Sequence, residues 1–460
     1  MSDPLRLQDV RDAGSMEKRL ASRGISEDKA EDKAVLFGRC ADALIESGLS
    51  TGTDARAFFV PGRIEVLGKH TDYAGGRTLS VAVEKGFCVA AVPRQDREVR
   101  VLDVEGGDGV EMTLDPDTRP ADGHWSNYPM TVVRRMAKNF PGMETGADIA
   151  FLSDLPPASG MSSSSAMMIA FSMVLSALNG LPERKEYREN ISNRESLAAY
   201  LATIENGQSF GTLAGDKGVG TFGGSLDHTS ILCCEPGYLS RYAYCPVRFE
   251  SKAPMPEGYV FAVGMSGVHA EKTGGAREKY NRASLLASAA AEAWRNATGR
   301  DDGHLAAASA SADDAPEQIR QVLRDAETGG FSPEDLLRRF EHFYAESEEI
   351  IPAAGDALEA GDIPAFGAQV DRSQELTETL LRNQVEETIF LARSAREQGA
   401  AAASAFGAGF GGSVWALARA DGVDAFLEGW SRHYGERYPE AASGAWFFFT
   451  RPGPAAFELA

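Results

Sequence analysis

The chain has 460 residues, too many for one ordinary hydrophobic core, so two domains are expected. With 43% hydrophobic and 25% charged residues, its composition is that of a globular protein and excludes a disordered or fibrous one. The 46 Lys and Arg against 67 Asp and Glu give a net charge of −21, which argues against binding to nucleic acid or to an anionic membrane surface.

The cysteine pattern and the first residues predict a cytoplasmic location. The five cysteines show no CxxC spacing, which argues against a zinc ribbon and a disulfide framework. The start of the chain, MSDPLRLQDVRD, is charged from its third residue, so no signal peptide is expected. The longest mostly apolar run, 166–178, is too short to span a membrane.

The first half of the chain alternates between helical and strand-like patterns. Residues 1–50 have the apolar spacing of amphipathic helices, and the pattern changes to short strands beyond residue 53. Strands are predicted at 57–60, 64–67, 78–83, 87–92, 98–103, 147–152 and 229–234. Helices are predicted at 125–139, 166–178 and 196–206.

A domain boundary is predicted in 246–256, where Pro246, Pro254 and Pro256 cluster. Beyond it, strands are predicted at 259–265 and 413–419 and helices over 283–365 and 373–398. Strands and helices mix without regular βαβ alternation, which favours an α+β fold over a doubly wound sheet.

The segment 155–166, LPPASGMSSSSA, joins a predicted strand to an apolar helix. Unpaired N–H groups at a helix start bind phosphate, and serine hydroxyls can reach phosphate oxygens or Mg²⁺. A serine-rich helix cap without a ligand is the alternative. One cap needs one serine, however, and here four follow Gly160 closely. No GxxxxGK[ST] motif is present, so this is not a Walker-type loop.

Two further segments carry clustered polar residues. After the predicted strand 64–67, the four consecutive polar residues 69–72 suit recognition of a hydroxyl-rich ligand, although a solvated turn would look similar. Asp227, in TFGGSLDH, is expected just before the strand 229–234. It is a candidate functional residue, and an aspartate that only stabilises a turn is the alternative interpretation.

The run 407–412, GAGFGG, formally matches GxGxxG. A dinucleotide-binding loop leaves a strand and opens a helix. This run is expected to leave a helix and enter the strand 413–419, so the Rossmann interpretation is set aside.

Together these segments resemble the GHMP kinase superfamily and, within it, the galactokinases. Residues 61–76 match PGRxxxxGxHTDYxxG, a signature typical of galactokinases. The serine loop is similar to the ATP loop LPxGxGLSSSAA, and GAGFGGS at 407–413 resembles the third motif of the superfamily.

The resemblance implies a two-domain GHMP kinase architecture of the α+β class. A ribosomal protein S5 domain 2-like N-terminal domain over 1–250 and a ferredoxin-like C-terminal domain over 251–460 would enclose the active site in the cleft between them. The implied activity is that of an ATP-dependent, Mg²⁺-dependent sugar 1-kinase, converting galactose and ATP to galactose 1-phosphate and ADP. A monomer is expected, with a small sugar as partner and neither nucleic acid nor membrane.

Residue roles carry over by position. The resemblance implies that Asp227 is the catalytic base, that Arg63 stabilises charge on the transferring phosphoryl group, and that Ser164 and Glu205 bind Mg²⁺. The implied sugar-binding residues are Lys69, His70, Thr71, Asp72 and Tyr280. The implied ATP-binding residues are Ala158, Ser159, Gly160, Met161, Ser162, Ser163 and Ser164.

Several positions depart from the family pattern. Lys69 stands where the family has Glu, Glu65 where Asn is common, and His228 where Gln is usual, while Ala158 replaces a loop glycine. A lysine in place of an acceptor could favour a carboxylate, so a kinase for galacturonate, arabinose or N-acetylgalactosamine is the alternative within the same class. A sugar and ATP sensor without catalysis is the alternative from another class.

Overall fold

The structure is a computed structural model that describes residues 5–459 apart from 121–122, 157–158, 269–274, 327 and 329. Its described strands form two sheets, one large and one of four strands. The strands are β1 (Leu5–Arg6), β2 (Asp54–Leu67), β3 (Arg77–Pro93), β4 (Glu98–Asp103), β5 (Gly109–Thr113), β6 (Ala147–Ser153), β7 (Tyr238–Ala243), β8 (Arg248–Pro254), β9 (Tyr259–Met265), β10 (Ala402–Phe406), β11 (Ser413–Arg419), β12 (Trp446–Thr450) and β13 (Phe457–Leu459).

Helices cover both sheets and form a separate bundle over 275–359. They are α1 (Leu7–Arg11), α2 (Ala13–Ser22), α3 (Glu27–Glu46), α4 (Asn127–Asn139), α5 (Ser163–Leu178), α6 (Lys185–Asn190), α7 (Arg194–Asn206), α8 (Leu226–Cys233), α9 (Gly275–Thr298), α10 (Leu305–Ser309), α11 (Ala315–Arg324), α12 (Pro333–Tyr344), α13 (Ile351–Glu359), α14 (Ile363–Leu376), α15 (Glu386–Glu397), α16 (Val423–Arg437) and α17 (Pro439–Ala442). Among the described residues, no helix is both long and apolar enough to cross a membrane.

The large sheet runs in the order β1-β2-β3-β6-β4-β5, with β13 added to β2 and the β7–β8 hairpin added to β3. Most pairs are antiparallel, and β4–β6 is parallel. Alternate side chains point to opposite faces. Phe59, Cys88 and Ala150 therefore pack with α1–α3, whereas Phe58 and Val89 belong to the core that includes α4, α5 and α7.

The strands predicted at 57–60 and 64–67 are one continuous strand, β2, and those at 78–83 and 87–92 are one strand, β3. The Pro-Gly pair at 61–62 produces a shift in register opposite Gly86 and does not end the strand. A Cβ on Gly86 would lie 2.4 Å from the carbonyl oxygen of Val60, so glycine is required for this close pairing.

The small sheet has the order β10-β11-β9-β12 and packs between α14 on one face and α15 and α16 on the other. The chain enters it directly after β8, a strand of the large sheet that occupies most of the predicted boundary 246–256. The last strand, β13, returns to pair with β2. The division into 1–250 and 251–460 stays a prediction.

Two sequence-based assignments near the site are wrong. Residues 229–233 of the predicted strand 229–234 lie in helix α8, and Cys234 is the residue that ends this helix. Their β-branched and apolar residues suit a strand, but in the fold Ser230 Oγ donates to the Leu226 carbonyl and is hydrogen-bonded to Ser80 Oγ at 2.7 Å, fixing a buried helical turn against β3. The glycine run 407–412 leaves a strand, β10, and turns into its antiparallel neighbour β11, with Phe406 opposite Ser413.

The predicted helix over 373–398 is interrupted. Helix α14 ends at Leu376, a π-helical turn spans Thr377–Leu381, and Arg382 has a left-handed φ of 57° before α15 begins at Glu386. A positive φ at a residue other than glycine breaks a helix. The break places Asn383 against the glycine-rich turn 407–412.

Candidate active site

One cavity, with about 560 Å³ of empty volume, lies where the large sheet meets the helical bundle and the turn 407–412. Residues from both halves of the chain line it, because β2 and α8 come from the first half and α9 and the turn from the second. Six residues predicted from the resemblance line this cavity: Arg63, His70, Asp72, Glu205, Asp227 and Tyr280.

Arg63 and Asp227 form an ion pair at the centre of the cavity. Arg63 Nε and Nη2 both donate to Oδ1 of Asp227, at 2.9 and 2.6 Å, and Nη1 donates to the carbonyl oxygen of Gly160. Arg63 is buried on β2, whereas the Asp227 side chain, in the first turn of α8, is 22% exposed. The second carboxylate oxygen of Asp227 can therefore be reached from the cavity.

The serine loop packs directly on β2 beside this pair. The Arg63 N–H donates to the Met161 carbonyl at 3.2 Å, and α5 begins two residues later. The hydroxyls of Ser159 and Ser162 are buried and have no hydrogen-bond partner among the described residues. Orphaned hydroxyls beside the N-terminus of a 16-residue helix fit the phosphates of ATP. Ala158 lies outside the described residues.

A cluster of oxygen atoms adjoins the serine loop. Ser165 Oγ donates to Glu205 Oε2 at 2.7 Å and lies 3.4 Å from Asp227 Oδ2. Mg²⁺ in proteins is commonly held by one or two carboxylates together with substrate phosphates, so this cluster fits the ion. Among the described residues, no group of three His, Cys, Asp or Glu could hold a metal by itself. Ser165, and not the predicted Ser164, is the serine that contacts both carboxylates.

His70 and Asp72 form the sugar-binding side of the cavity. His70 hydrogen-bonds through Nδ1 to Tyr73 Oη at 2.8 Å and through Nε2 to the Ala408 carbonyl at 3.1 Å. Its ring lies 5.2 Å from that of Tyr280. Asp72 Oδ2 accepts the Leu226 N–H at 2.9 Å. Burial raises the pKa of Asp72 to about 6, although this hydrogen bond opposes the shift.

Lys69 and Thr71, predicted to contact the sugar, are not brought to the cavity. Lys69 is buried behind it, and its ammonium donates to Ser404 Oγ at 2.8 Å and to Ser373 Oγ at 3.3 Å. Burial lowers the pKa of Lys69, an effect that Glu346 opposes. Thr71 Oγ1 donates to the carbonyls of residues 68 and 77, at 2.8 and 2.6 Å, and so holds the loop in shape.

The structure adds residues that the resemblance did not assign to the site. Glu65 follows Arg63 on the same face of β2, and its Oε1 is buried with no hydrogen-bond partner among the described residues. Burial raises its pKa to about 8 despite the opposing charges of Arg63 and Lys69. A Cβ on Gly224 would lie 2.4 Å from Asp72 Oδ2, so glycine is required there. The two-residue period of a strand was the available signal for Glu65.

Comparisons with known proteins agree with this geometry. The galactokinase galactose-binding signature matches residues 50–93, the GHMP kinases N-terminal domain 127–215 and the GHMP kinases C-terminal domain 356–436. A galactokinase of Chloroflexus aggregans is 29% identical over 377 residues, covering 80% of this chain and 85% of that protein. A galactokinase of Glaesserella parasuis is 27% identical over 371 residues, covering 80% and 86%.

The fold is also similar to that of a solved structure. Lactococcus lactis galactokinase in complex with galactose superposes with a TM-score of 0.74 at 23% identity, covering 90% of this chain and 99% of that one. This likeness and the two domain matches confirm the predicted α+β GHMP kinase architecture. The chain therefore belongs to the GHMP kinases and carries the galactose-binding signature of the galactokinases.

Proposed function

We propose that the chain is an ATP-dependent galactokinase, which transfers the terminal phosphoryl group of ATP to the C1 hydroxyl of galactose and releases ADP. The observation that carries the proposal is the Arg63–Asp227 pair, which lies between the galactose-binding segment and the serine loop. A sugar hydroxyl held by the first of these segments and a terminal phosphate held by the second would approach each other beside this pair.

Phosphoryl transfer requires positioning and charge stabilisation more than covalent chemistry. Asp227 orients the C1 hydroxyl through its carboxylate and accepts the proton as the oxygen attacks phosphorus. The Arg63 guanidinium, fixed by Asp227 and the Gly160 carbonyl, faces the negative charge that spreads over the transferring group. Mg²⁺, which Ser165 and Glu205 would hold together with the phosphates, supplies further charge neutralisation.

The sugar side of the cavity presents paired donors and acceptors. Asp72 accepts hydrogen bonds, the Tyr280 hydroxyl can donate or accept them, and each sugar hydroxyl requires both kinds of partner. The rings of His70 and Tyr280, whose planes are tilted by 53° with centroids 5.2 Å apart, offer apolar ring surface that the C–H groups of a pyranose can contact. This combination suits an uncharged hexose.

A uronic acid is disfavoured as the substrate. That alternative depended on Lys69 reaching the sugar, and the Lys69 ammonium lies instead on two serine hydroxyls behind the cavity. Among the described residues that line the cavity, Arg63 is the single lysine or arginine, and its guanidinium is hydrogen-bonded to Asp227. A sensor without catalysis is disfavoured because Arg63, Asp227 and the serine loop are all in place.

In the proposed reaction, Asp227 is the base and Arg63 is the cation that stabilises the transferring phosphoryl group. Ser159 to Ser164 form the phosphate-binding loop, and Ser165 joins Glu205 in binding the metal. Action as a cytoplasmic monomer stays a prediction.

The test is the identity of the product. Incubation with galactose and Mg·ATP is expected to give a phosphate ester whose ³¹P signal couples to the anomeric proton of galactose. An ester coupled to the C6 protons would contradict the placement of C1 beside Asp227. ADP and inorganic phosphate without any new phosphate ester would contradict the kinase assignment.

A further inference from the structure

A second cavity, with about 1050 Å³ of empty volume, lies on the far side of the glycine-rich turn from the active site. It is bounded by α9, α12 and the segment 380–385, with Phe410 of the turn on its wall. Among its described lining residues are five cationic side chains and one carboxylate, that of Asp335. The five cations are Lys279, Arg282, Arg338, Arg339 and Arg382.

The positive charge of this basic cavity exceeds what its own contacts neutralise. Asp335 accepts from Arg282 at 2.9 Å and from Arg338 at 2.5 Å. Arg382 uses Nε to donate to the Thr379 carbonyl, and Lys279 lies 5.6 Å above the Phe410 ring. Neither Lys279 nor Arg382 has a carboxylate partner among the described residues. In a chain of net charge −21, composition does not explain such a concentration of positive charge.

Two residues of the basic cavity are bonded directly to the sugar-binding side of the active site. Buried Arg339 donates through Nη2 to the His70 carbonyl and, at 3.4 Å, to Tyr73 Oη. Buried Asn383 accepts the Phe410 N–H at 2.5 Å and donates through Nδ2 to the Ala408 carbonyl at 3.2 Å. One layer of side chains therefore separates the two cavities.

We propose that the basic cavity binds a small phosphate-bearing anion, and that its occupancy alters how the sugar binds next door. Arginine and lysine clusters form short, charge-assisted hydrogen bonds with phosphate oxygens. An anion drawn toward Arg339 competes for the N–H group that donates to the His70 carbonyl, and one drawn toward Arg338 competes for the Nε–H that donates to the Leu380 carbonyl before α15. Anion binding stands independently of the proposed kinase function, whereas the effect on the sugar rests on it.

Binding is tested by calorimetric titration with inorganic pyrophosphate. The wild type is compared with the double variant Lys279→Ala/Arg382→Ala, which removes two exposed cations and no internal ion pair. The matched control is Lys185→Ala/Arg188→Ala on α6, where both side chains are also exposed. We expect the affinity to fall by about tenfold or more in the first variant and to stay unchanged in the control.

Equal affinity in all three proteins would overturn the proposal, since pyrophosphate would then be binding at the serine loop. No binding to the wild type would also overturn it. In kinase assays, pyrophosphate should change the KM for galactose in the wild type and in the α6 control but not in Lys279→Ala/Arg382→Ala. A KM shift of the same size in all three would overturn the coupling between the cavities. If galactose is not a substrate, the titration still decides the binding.

Discussion

Replacing Asp227 by Asn removes the proposed proton acceptor while almost preserving its shape. The amide oxygen can still accept both hydrogen bonds from Arg63, which now reach Oδ1 at 2.9 and 2.6 Å, so the arginine stays in place. The negative charge and the ability to take the proton are lost. General base catalysis contributes about 10²–10⁴ in rate. That range corresponds to about 3–5 kcal/mol in the activation barrier.

The assay follows ADP release with saturating galactose and Mg·ATP, and ATP affinity is measured separately by titration. The expected result is a fall in kcat of about 10²–10⁴ with the affinity for ATP within about threefold of the wild type. Asp148→Asn is the control, because Asp148 also accepts from an arginine, Arg94 at 3.0 Å, but outside the cavity. A kcat for Asp227→Asn above about a tenth of the wild-type value would refute the assignment of the base.

Three further predictions concern neighbouring residues. Ser165→Ala should raise the Mg²⁺ concentration for half-maximal rate about 10–100-fold, and more than Ser164→Ala does, because Ser165 contacts both carboxylates; equal effects would contradict this. Lys69→Met should leave the order of preference among sugars unchanged. Lys69→Glu should lower the unfolding free energy by about 3 kcal/mol or more, because it buries a second carboxylate near Glu346. Thermal unfolding and a sugar panel check both, and a switch of preferred sugar would restore Lys69 as a specificity residue. Burial raises the Glu65 pKa from 4.5 to about 8, so between these values the folded state holds a proton that the unfolded state has lost. Protonation of Glu65 should therefore make stability fall by up to about 1.4 kcal/mol per pH unit across that interval, and Glu65→Gln should remove this contribution in denaturant titrations, most clearly above the raised pKa of Asp72, about 6; an unchanged slope there would contradict the burial of Glu65.

The motifs predicted the centre of the site better than its surroundings. Arg63, Asp72, Glu205 and Asp227 could be identified because each lies in a short segment whose residue types are tied to its chemistry. Lys69 has the same neighbours in sequence, yet its side chain turns away because Ser373 and Ser404, about 300 residues later, provide its hydrogen bonds. Hydrogen bonds between residues so far apart in sequence leave no pattern among the neighbouring residues from which they could be predicted.

The errors in secondary structure have the same origin. Residues 229–234 have strand-like composition, but burial against β3 and the hydrogen bond between Ser230 and Ser80 fix 229–233 as part of α8. The sequence pattern does not predict β10 between the helix 373–398 and the glycine run, because its sequence, AASAF, suits a helix or a strand. Tertiary packing, which decides such short segments, is not visible in a single sequence.

Phosphorylation of galactose in this cavity can be tested by a coupled ADP-release assay with Mg·ATP against galactose, glucose, N-acetylgalactosamine, arabinose and galacturonate. The expected result is the highest kcat/KM with galactose and little turnover of galacturonate, since no uncommitted cation among the described lining residues would pair with its carboxylate. Preference for galacturonate, or no sugar-dependent ADP release from protein that still binds ATP, would contradict it.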